Sequence, residues 1–280
     1  MKKILIAGAG SYIGVSFANY MTQWPECYQV DTLDVIGDGW KQADIRGYDV
    51  MFLVAGIAHQ KETEENAPLY YQVNRDLAVE LAKKAKDSGV PHFVFMSSMS
   101  VYGMDSGVIT PDTRPAPKSH YGKSKLEAEQ AMEKLADDTF RIAVLRPPMV
   151  YGKGCRGNFQ LMLKLAKKSP VFPVVNNQRS MISIENLCAF VRLVIDRQES
   201  GVFFPQNQEY VNTTDMVRMM AKILNRRIFF SRLAGWAVGA MVPVVGVARK
   251  AFSSLIYQDC EKHDFCYCED DFAQSMGKSL

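Results

Sequence analysis

Residues 2–14 read KKILIAGAGSYIG, an apolar run of the strand type that turns directly into glycines and then into a helical pattern. Gly8, Gly10 and Gly14 fall where the strand ends and the first helix begins. Glycine permits a tight turn and lets a pyrophosphate approach the backbone, while a helix N-terminus supplies free N–H groups and a positive dipole end. This stretch therefore predicts a dinucleotide-binding turn at the start of the chain.

The first half of the chain repeats this change from strand to helix. Apolar strand patterns alternate with helical patterns, with strands at 2–8, 28–35, 48–56, 92–98 and 140–147 and helices at 11–21, 70–89 and from 121 onward. Mostly apolar strands separated by helices are typical of a parallel sheet that is covered on both faces. The predicted fold is α/β, a doubly wound, mostly parallel sheet of the Rossmann type with a smaller C-terminal substrate-binding region.

Asp34 ends the second predicted strand, 20 residues after Gly14. A carboxylate at this position accepts hydrogen bonds from the ribose hydroxyls of a dinucleotide and repels a 2′-phosphate. NAD is therefore favoured over NADP as the cofactor. Asp31 is a rival for this role, but its mid-strand position and the alternation along the strand favour Asp34.

Tyr121 and Lys125 lie four positions apart in YGKSK (121–125), at the start of a predicted helix. At this spacing two side chains share one helical face, and an ammonium beside a phenol lowers the pKa of the phenol. Ser97 and Ser98 end the preceding strand, at the same edge of the sheet as the glycine turn. A serine there would hydrogen-bond a substrate oxygen beside Tyr121, so we predict an acid–base centre at this edge.

Composition excludes several classes of protein. The chain has 280 residues, 48% of them apolar, and a net charge of only +3 with no prominent Lys/Arg block, which disfavours nucleic acid as a partner. No stretch reaches about 18 uninterrupted apolar residues, and the N-terminus turns to glycines too early for a secretory signal. We therefore expect a cytoplasmic protein.

The cysteines raise the question of a metal site. Without a signal peptide the six thiols are expected to be reduced. Four possible ligands are gathered in CEKHDFCYC (260–268), namely Cys260, His263, Cys266 and Cys268. Their spacing matches none of the common zinc patterns, and the aromatic neighbours suit ordinary packing. No metal is expected.

Several further segments, in their order and spacing, resemble the extended short-chain dehydrogenase/reductase family. They are GAGSYIG (8–14), Asp34, VAGIAH (54–59), Asn74, SSMSVYG (97–103), YGKSK (121–125), LRPPMVYGKG (145–154) and RSMISIENL (179–187). The nearest branch is that of the NAD-dependent nucleotide-sugar epimerases and dehydratases, and the chain looks similar to the UDP-glucose 4-epimerases. The resemblance extends to about residue 225.

The resemblance implies roles for individual residues. The catalytic positions fall on Ser98, Tyr121 and Lys125, where Ser98 is preferred to Ser97 because it keeps the family's spacing to VYG. The implied NAD-binding residues are Gly8, Gly10, Ser11, Tyr12, Ile13, Gly14, Asp34, Ala55, Gly56, Asn74, Tyr121, Lys125 and Pro147. The implied substrate-binding residues are Ser98, Ser100, Asn158 and Arg179, of which Arg179 suits a diphosphate because a guanidinium can chelate phosphate oxygens.

One departure from the family pattern concerns the glycine turn, because the family usually has glycine at the position of Ser11 and this chain has Gly10 instead. The resemblance also implies a division into an NAD-binding Rossmann domain at 1–152, with returning segments near 180–205, and a mainly substrate-binding region at 153–280. Relatives are commonly homodimers, so we expect a homodimer here.

The implied reaction is that of a nucleotide-sugar 4-epimerase acting on a UDP-hexose or a UDP-N-acetylhexosamine. Tyr121 would take the proton of the C4 hydroxyl, hydride would pass to tightly bound NAD, and the transient 4-keto sugar would turn over before hydride returns. The alternative is an NAD(P)H-dependent 4-ketoreductase of a UDP-4-keto-6-deoxy sugar in surface-polysaccharide precursor synthesis.

Two other functions are disfavoured. Dehydratases of this family usually carry Thr-Asp-Glu where this chain has Ser98, Met99 and Ser100, so the acid and base for eliminating water are missing. Relatives that serve as redox sensors or scaffolds tend to lose the Tyr-Lys pair, which this chain keeps.

An uncharged apolar run extends from Leu233 to Ala248, with basic residues at both ends. It is interrupted by Pro243 and is short for a membrane-spanning helix. We expect a buried helical pair that caps the sugar pocket, or a dimer face. A third interpretation is a contact with a membrane surface, which only the basic flanks favour. We do not expect such a contact.

Overall fold

The computed structural model describes residues 1–58, 60–242, 246–260 and 264–280, with the backbone alone for 247 and 248. The strands are β1 (Lys2–Ala7), β2 (Tyr28–Leu33), β3 (Val50–Leu53), β4 (His92–Met96), β5 (Gly107–Ile109), β6 (Arg141–Leu145), β7 (Met149–Tyr151), β8 (Val171–Pro173), β9 (Met181–Ser183), β10 (Gly201–Phe203), β11 (Phe229–Ser231) and β12 (Leu255–Tyr257). The helices are α1 (Tyr12–Met21), α2 (Ala67–Tyr71), α3 (Leu77–Asp87), α4 (His120–Glu133), α5 (Asn158–Lys168), α6 (Ile184–Arg197), α7 (Thr213–Ile223), α8 (Arg232–Met241), α9 (Gly246–Phe252) and α10 (Phe272–Ser279).

Six parallel strands form the central sheet, in the order β10-β6-β4-β3-β1-β2. Alternate residues of β1 and β3 enter different cores: Ile4 and Phe52 pack with α1 and α6, whereas Leu5 and Met51 pack with α3 and α4. Helices therefore cover both faces of the sheet. This confirms the predicted doubly wound α/β fold and explains why the strands are apolar throughout.

The order of the strands places a crevice at the carboxyl ends of β1 and β3. The chain moves from β1 to β2 on one side and then to β3 on the other side, so the loops after β1 and β3 diverge there. Ligands of open parallel sheets bind at such a switch point. Gly8, Asp34, Ala55, Ser98 and Pro147 all follow strands at this same edge.

The later part of the chain both returns to the sheet and forms a second layer of packing. β9, α6 and β10 lie within residues 181–203, where α6 covers one face and β10 joins β6 as an edge strand. A separate apolar cluster then joins α5, α7 and α10, with Phe159, Met216 and Met276 all buried.

Two predicted elements differ from those observed. The helix predicted at 70–89 begins at Ala67 and contains a π-helical turn, Gln72–Asp76, between α2 and α3. Turns of π-helix are rare in proteins, and those that occur are often at functional sites. This one contains the buried Asn74. The expectation of a buried helical pair at 233–248 is wrong for α8, because Leu233 is 83% and Trp236 80% exposed. Pro243 lies outside the described residues.

None of the helices in the described ranges combines the length and the apolar character that crossing a bilayer requires.

A buried ionic network fixes α4 to the ends of β4 and β6. The Glu129 carboxylate accepts hydrogen bonds from Ser97 Oγ and from Arg146, whose Nη2 lies 2.5 Å from Glu129 Oε2. Arg146 Nη1 also donates to the Tyr102 hydroxyl at 2.8 Å. Ser97 and Arg146 immediately precede Ser98 and Pro147 in the chain, so this network positions the strand ends that carry those two residues.

We expect Glu129→Ala to lower the free energy of unfolding by about 3 kcal/mol or more, because it leaves the Arg146 guanidinium buried without its partner. The matched control is Glu133→Ala, one helical turn later and exposed, which should change the free energy by less than about 0.5 kcal/mol. Urea unfolding followed by circular dichroism compares them. Equal small losses would show that the network contributes little to stability.

Candidate active site

The glycine turn passes against the loop after β3. Gly8 has a φ of +122°, and a Cβ atom placed on it would lie 2.7 Å from the backbone nitrogen of Ala55. Gly10 also has a positive φ, +76°, but faces open space. At Gly14 a Cβ atom would lie 2.6 Å from Ser11 Oγ, the atom that caps α1 by accepting a hydrogen bond from the Gly14 N–H. Glycine is therefore required at the first and third positions by geometry.

The first two residues of α1 have different surroundings. A Cβ atom on Gly152 would lie 2.6 Å from the Tyr12 hydroxyl, and burial raises the pKa of this tyrosine above its usual range. Ile13 packs against the core beneath α1. The substitution of Ser11 for the family's glycine thus leaves a capped helix N-terminus whose backbone faces the crevice.

These residues fit a dinucleotide. A cradle with no room for a Cβ atom at Gly8, a capped N-terminus of the ten-residue α1, and the exposed Asp34 directly after β2 are the features that a pyrophosphate and a ribose require. Asp31 instead accepts hydrogen bonds from Gln29 and from the Tyr48 hydroxyl. The structure thus separates a structural Asp31 from an exposed Asp34, whose Oδ1 accepts the Ile36 N–H.

Asn74 fastens the loop after β3 to α4. Its Oδ1 accepts the Ile57 N–H at 2.8 Å, and its Nδ2 donates to the Ile57 carbonyl and to Ser124 Oγ. The side chain is completely buried. A Cβ atom on Gly56 would lie 3.0 Å from Asn74 Oδ1 and 3.3 Å from Lys125 Nζ, so this loop and the lysine are in close contact.

Lys125 is buried at the end of β4. Its Nζ donates to the Met96 carbonyl at 2.8 Å and lies 4.6 Å from the centre of the Phe95 ring. Burial lowers the pKa of Lys125 to about 8, although the negative charge of Glu129 opposes this change. The ammonium thus loses its proton more readily than that of an exposed lysine.

Tyr121 departs from the sequence-based expectation in its acidity. Burial raises the pKa of Tyr121, and a hydrogen bond with Ser98 offsets only part of this increase. The role of Tyr121 as the proton acceptor stays a prediction, but in the protein alone the phenol is less acidic than the neighbouring ammonium led us to expect. The physical reason is that desolvation disfavours the phenolate more than the neighbouring groups of the chain stabilise it.

The two serines after β4 have different partners. Ser97 is buried and donates to Glu129, whereas Ser98 is the residue that hydrogen-bonds with Tyr121. Ser98 Oγ also accepts the Ser100 N–H at 3.1 Å and donates to Ser100 Oγ at 3.2 Å. Pro147 is held beside this turn because its carbonyl accepts the Met99 N–H at 3.0 Å.

One residue of this site was not found from the sequence. The Glu62 carboxylate accepts the backbone N–H groups of His120 and Tyr121, at 2.8 and 3.1 Å, and so joins Ser119 in capping α4. A negative charge at a helix N-terminus is stabilising. No spacing in the sequence points to Glu62, because its loop is distant along the chain from the helix that it caps.

The two predicted diphosphate ligands lie in the second half of the chain. Asn158 is the first residue of α5. Arg179 Nη1 donates to the Ser253 carbonyl at 2.9 Å, and burial lowers the pKa of Arg179 despite the negative charge of Asp105. Among the contacts of the described residues, none joins Asn158 or Arg179 to Tyr121, so both assignments stay predictions.

The cysteine segment has ordinary packing contacts where it is described. Cys260 Sγ donates to the Ile109 carbonyl at 3.4 Å, and Cys268 Sγ donates to the Gln206 carbonyl at 3.7 Å. The described ranges contain no group of three or more His, Cys, Asp or Glu residues arranged for a metal. His263 lies outside them.

A doubly wound sheet with a glycine turn at its switch point is the architecture of dinucleotide-binding enzymes. The chain belongs to the NAD dependent epimerase/dehydratase family, whose sequence profile matches residues 4–204. The predicted family, enzyme class and NAD cofactor are thereby confirmed.

Individual relatives agree with this assignment. The chain is 32% identical over 251 residues to a UDP-glucose 4-epimerase of Vibrio cholerae, covering 80% of this chain and 76% of the relative. It is 24% identical over 246 residues to the N-acetyl-alpha-D-glucosaminyl-diphospho-ditrans,octacis-undecaprenol 4-epimerase of Escherichia coli O157:H7, covering 80% and 73%. The fold resembles the crystal structure of UDP-glucuronic acid 4-epimerase from Bacillus cereus in complex with NAD, with a TM-score of 0.75, 18% identity and coverage of 99% and 95%.

We expect Gly8→Ala to weaken NAD binding at least about tenfold, because the new Cβ atom meets the Ala55 backbone and moves the turn. The matched control is Gly89→Ala, a glycine after α3 that also has a positive φ (+76°) but open space around it. Calorimetric titration of the cofactor-free protein with NAD measures both. Normal affinity of the Gly8 variant would show that this turn does not receive the cofactor.

Proposed function

We propose that the chain is a nucleotide-sugar 4-epimerase that acts on a UDP-hexose or a UDP-N-acetylhexosamine and retains NAD tightly through each turnover. The observation that carries this proposal is the convergence of Ser98, Tyr121 and Lys125 at the carboxyl edge of the sheet. Ser98 hydrogen-bonds with Tyr121, and Lys125 Nζ lies beside Gly56, in the loop that flanks the glycine turn. This arrangement suits removal of a hydroxyl proton next to a hydride acceptor.

The residues of the chain divide the proton chemistry between them. In the first half of the reaction, Tyr121 takes the proton of the C4 hydroxyl, and in the second half it returns a proton to the C4 oxygen. Ser98 holds that oxygen throughout by hydrogen bonding. When bound, oxidised NAD supplies the hydride acceptor and a positive charge beside the site.

The raised pKa of Tyr121 limits when this residue can accept a proton. Burial of the phenol disfavours the phenolate in the protein alone, and burial also lowers the pKa of the neighbouring Lys125 to about 8. An added positive charge lowers the pKa of a neighbouring acid. We therefore propose that Tyr121 becomes a competent base only in the cofactor-bound enzyme.

The proposed substrate class follows from the relatives and from two side chains. The relatives from Vibrio cholerae and Escherichia coli are both named as 4-epimerases, one of UDP-glucose and the other of an N-acetylglucosamine joined through a diphosphate. A diphosphate link is common to both. We propose that Arg179 and Asn158 bind this diphosphate, and that residues 1–152 mainly hold NAD while 153–280 mainly hold the sugar nucleotide.

We propose a cytoplasmic homodimer that provides sugars for polysaccharide synthesis. The undecaprenol-linked substrate in the name of the Escherichia coli relative supports the pathway. The extended short-chain dehydrogenase/reductase family, in which homodimers are common, supports the oligomeric state.

We expect Tyr121→Phe to keep NAD binding and to lower kcat by about 1000-fold, because the group that exchanges the C4 proton is lost while the fold is unchanged. Epimerisation of a panel of UDP-hexoses and UDP-N-acetylhexosamines, without added cofactor, measures kcat. The matched control is Tyr48→Phe, which removes a hydroxyl bonded to Asp31 and should keep normal kcat.

Near-normal kcat for the Tyr121 variant would rule out its role as the acid–base residue. A wild-type enzyme that converts only 4-keto sugars, and only with added NADH or NADPH, would instead support the 4-ketoreductase alternative.

A further inference from the structure

An apolar stripe on α8 faces solvent. Leu233, Trp236, Ala237, Ala240 and Met241 are all exposed and follow the helical spacing of one face. The largest of them, Leu233 and Trp236, are 83% and 80% exposed, and Met241 is 49% exposed. A soluble helix normally turns such a stripe toward the core, so this orientation is the reverse of the expected one.

The opposite face of α8 fixes this orientation. A Cβ atom on Gly235 would lie only 2.0 Å from the Val174 carbonyl oxygen, so the backbone of the helix touches the end of β8 at this glycine. Ser231 caps the helix by accepting the Ala234 N–H, and its carbonyl accepts the Val174 N–H. Backbone contacts at Gly235 thus hold the stripe outward, and only glycine at this position allows them.

The neighbouring strands extend the apolar surface. Phe229, in β11, is 69% exposed and pairs in register with Val171 of β8, which is 43% exposed. We call the surface formed by the α8 stripe together with Phe229 and Val171 the α8 face. Several large apolar side chains exposed on neighbouring elements are typical of an interaction site.

The charge of the surrounding segment is strongly one-sided. Residues 216–258 contain seven Lys and Arg residues and no Asp or Glu, although the whole chain has 33 basic and 30 acidic residues. The segment therefore carries +7 in a chain whose total is +3, and the remainder of the chain is net negative. Four of these basic residues are exposed in the stretch of chain that leads into α8, namely Lys222, Arg226, Arg227 and Arg232.

We propose that the α8 face docks on the surface of an anionic phospholipid bilayer. Leucine, tryptophan and phenylalanine beside basic residues are the composition of segments that lie in the membrane interface, where the apolar side chains enter the headgroup boundary and the basic ones attract anionic lipid. A second copy of the same face is disfavoured as the occupant, because it would bring two segments of +7 together. The interaction is peripheral and adds a partner that the proposed function does not include.

The first test is partitioning to vesicles. The purified full-length protein is sedimented with vesicles of phosphatidylglycerol and phosphatidylcholine, and separately with vesicles of phosphatidylcholine alone. We expect at least about tenfold stronger partitioning to the anionic vesicles and its loss at 1 M salt, because salt screens the basic residues. Epimerase activity on soluble substrate is measured in parallel and is expected to be unchanged, so failure of either proposal is visible separately.

Two pairs of variants separate the apolar and the electrostatic contributions. The double variant Leu233→Ser, Trp236→Ser should lose at least about tenfold in partitioning, whereas Val108→Ser, an exposed apolar residue elsewhere, should not. The double variant Arg227→Gln, Arg232→Gln should lose most of the preference for anionic lipid. Its control is Lys83→Gln, an exposed basic residue on α3.

Fluorescence reports the contact directly. With Trp24→Phe and Trp40→Phe, Trp236 is the sole tryptophan, and its emission should shift to the blue and become protected from acrylamide when anionic vesicles are added. No partitioning to either vesicle, or equal partitioning of the Leu233, Trp236 double variant and the wild type, overturns the proposal. It is also overturned if that double variant converts a dimer into a monomer in sedimentation velocity, because a second copy would then cover the α8 face.

Discussion

The position of Lys125 is the constraint on which the active site depends. Its ammonium is buried at the end of β4, bonded to the Met96 carbonyl and enclosed by the Gly56 loop that Asn74 fastens to α4. A buried charge is costly unless its surroundings are fixed. Three features hold the Lys125 ammonium in place. They are the π-helical turn that carries Asn74, the close approach of two loops and the packing of α4 on the sheet.

The same burial creates the main energetic conflict in the site. It lowers the pKa of Lys125 to about 8 and raises the pKa of Tyr121, so the charged form of each group is less favourable than it is in water. The positive charge of a bound oxidised cofactor would lower the pKa of the neighbouring phenol. The Glu129–Arg146 network keeps its charges paired one turn away, and thus stabilises the fold without placing a further unpaired charge beside the tyrosine.

Much of the fold could be predicted from the sequence, because strands buried on both faces and a glycine turn after the first strand leave strong local patterns. The Tyr121–Lys125 pair was visible for the same reason, since helical spacing brings the two together. The acidity of Tyr121, the cap that Glu62 provides and the outward orientation of α8 were not visible. Each depends on contacts between segments distant in the chain, such as Gly235 against Val174. For Asn74 and Pro147, the expected roles came from the resemblance to the family and not from local patterns.

The most direct test of the central claim follows the hydrogen at C4. A UDP-hexose with deuterium at C4, incubated with the enzyme in ordinary water and without added cofactor, should yield the C4 epimer with the deuterium retained, because hydride leaves and returns within one closed site. Nuclear magnetic resonance of the product measures the label. Loss of deuterium to solvent, or no conversion unless a reduced nicotinamide cofactor is added, would contradict an epimerase in which Tyr121 moves the proton and retained NAD moves the hydride.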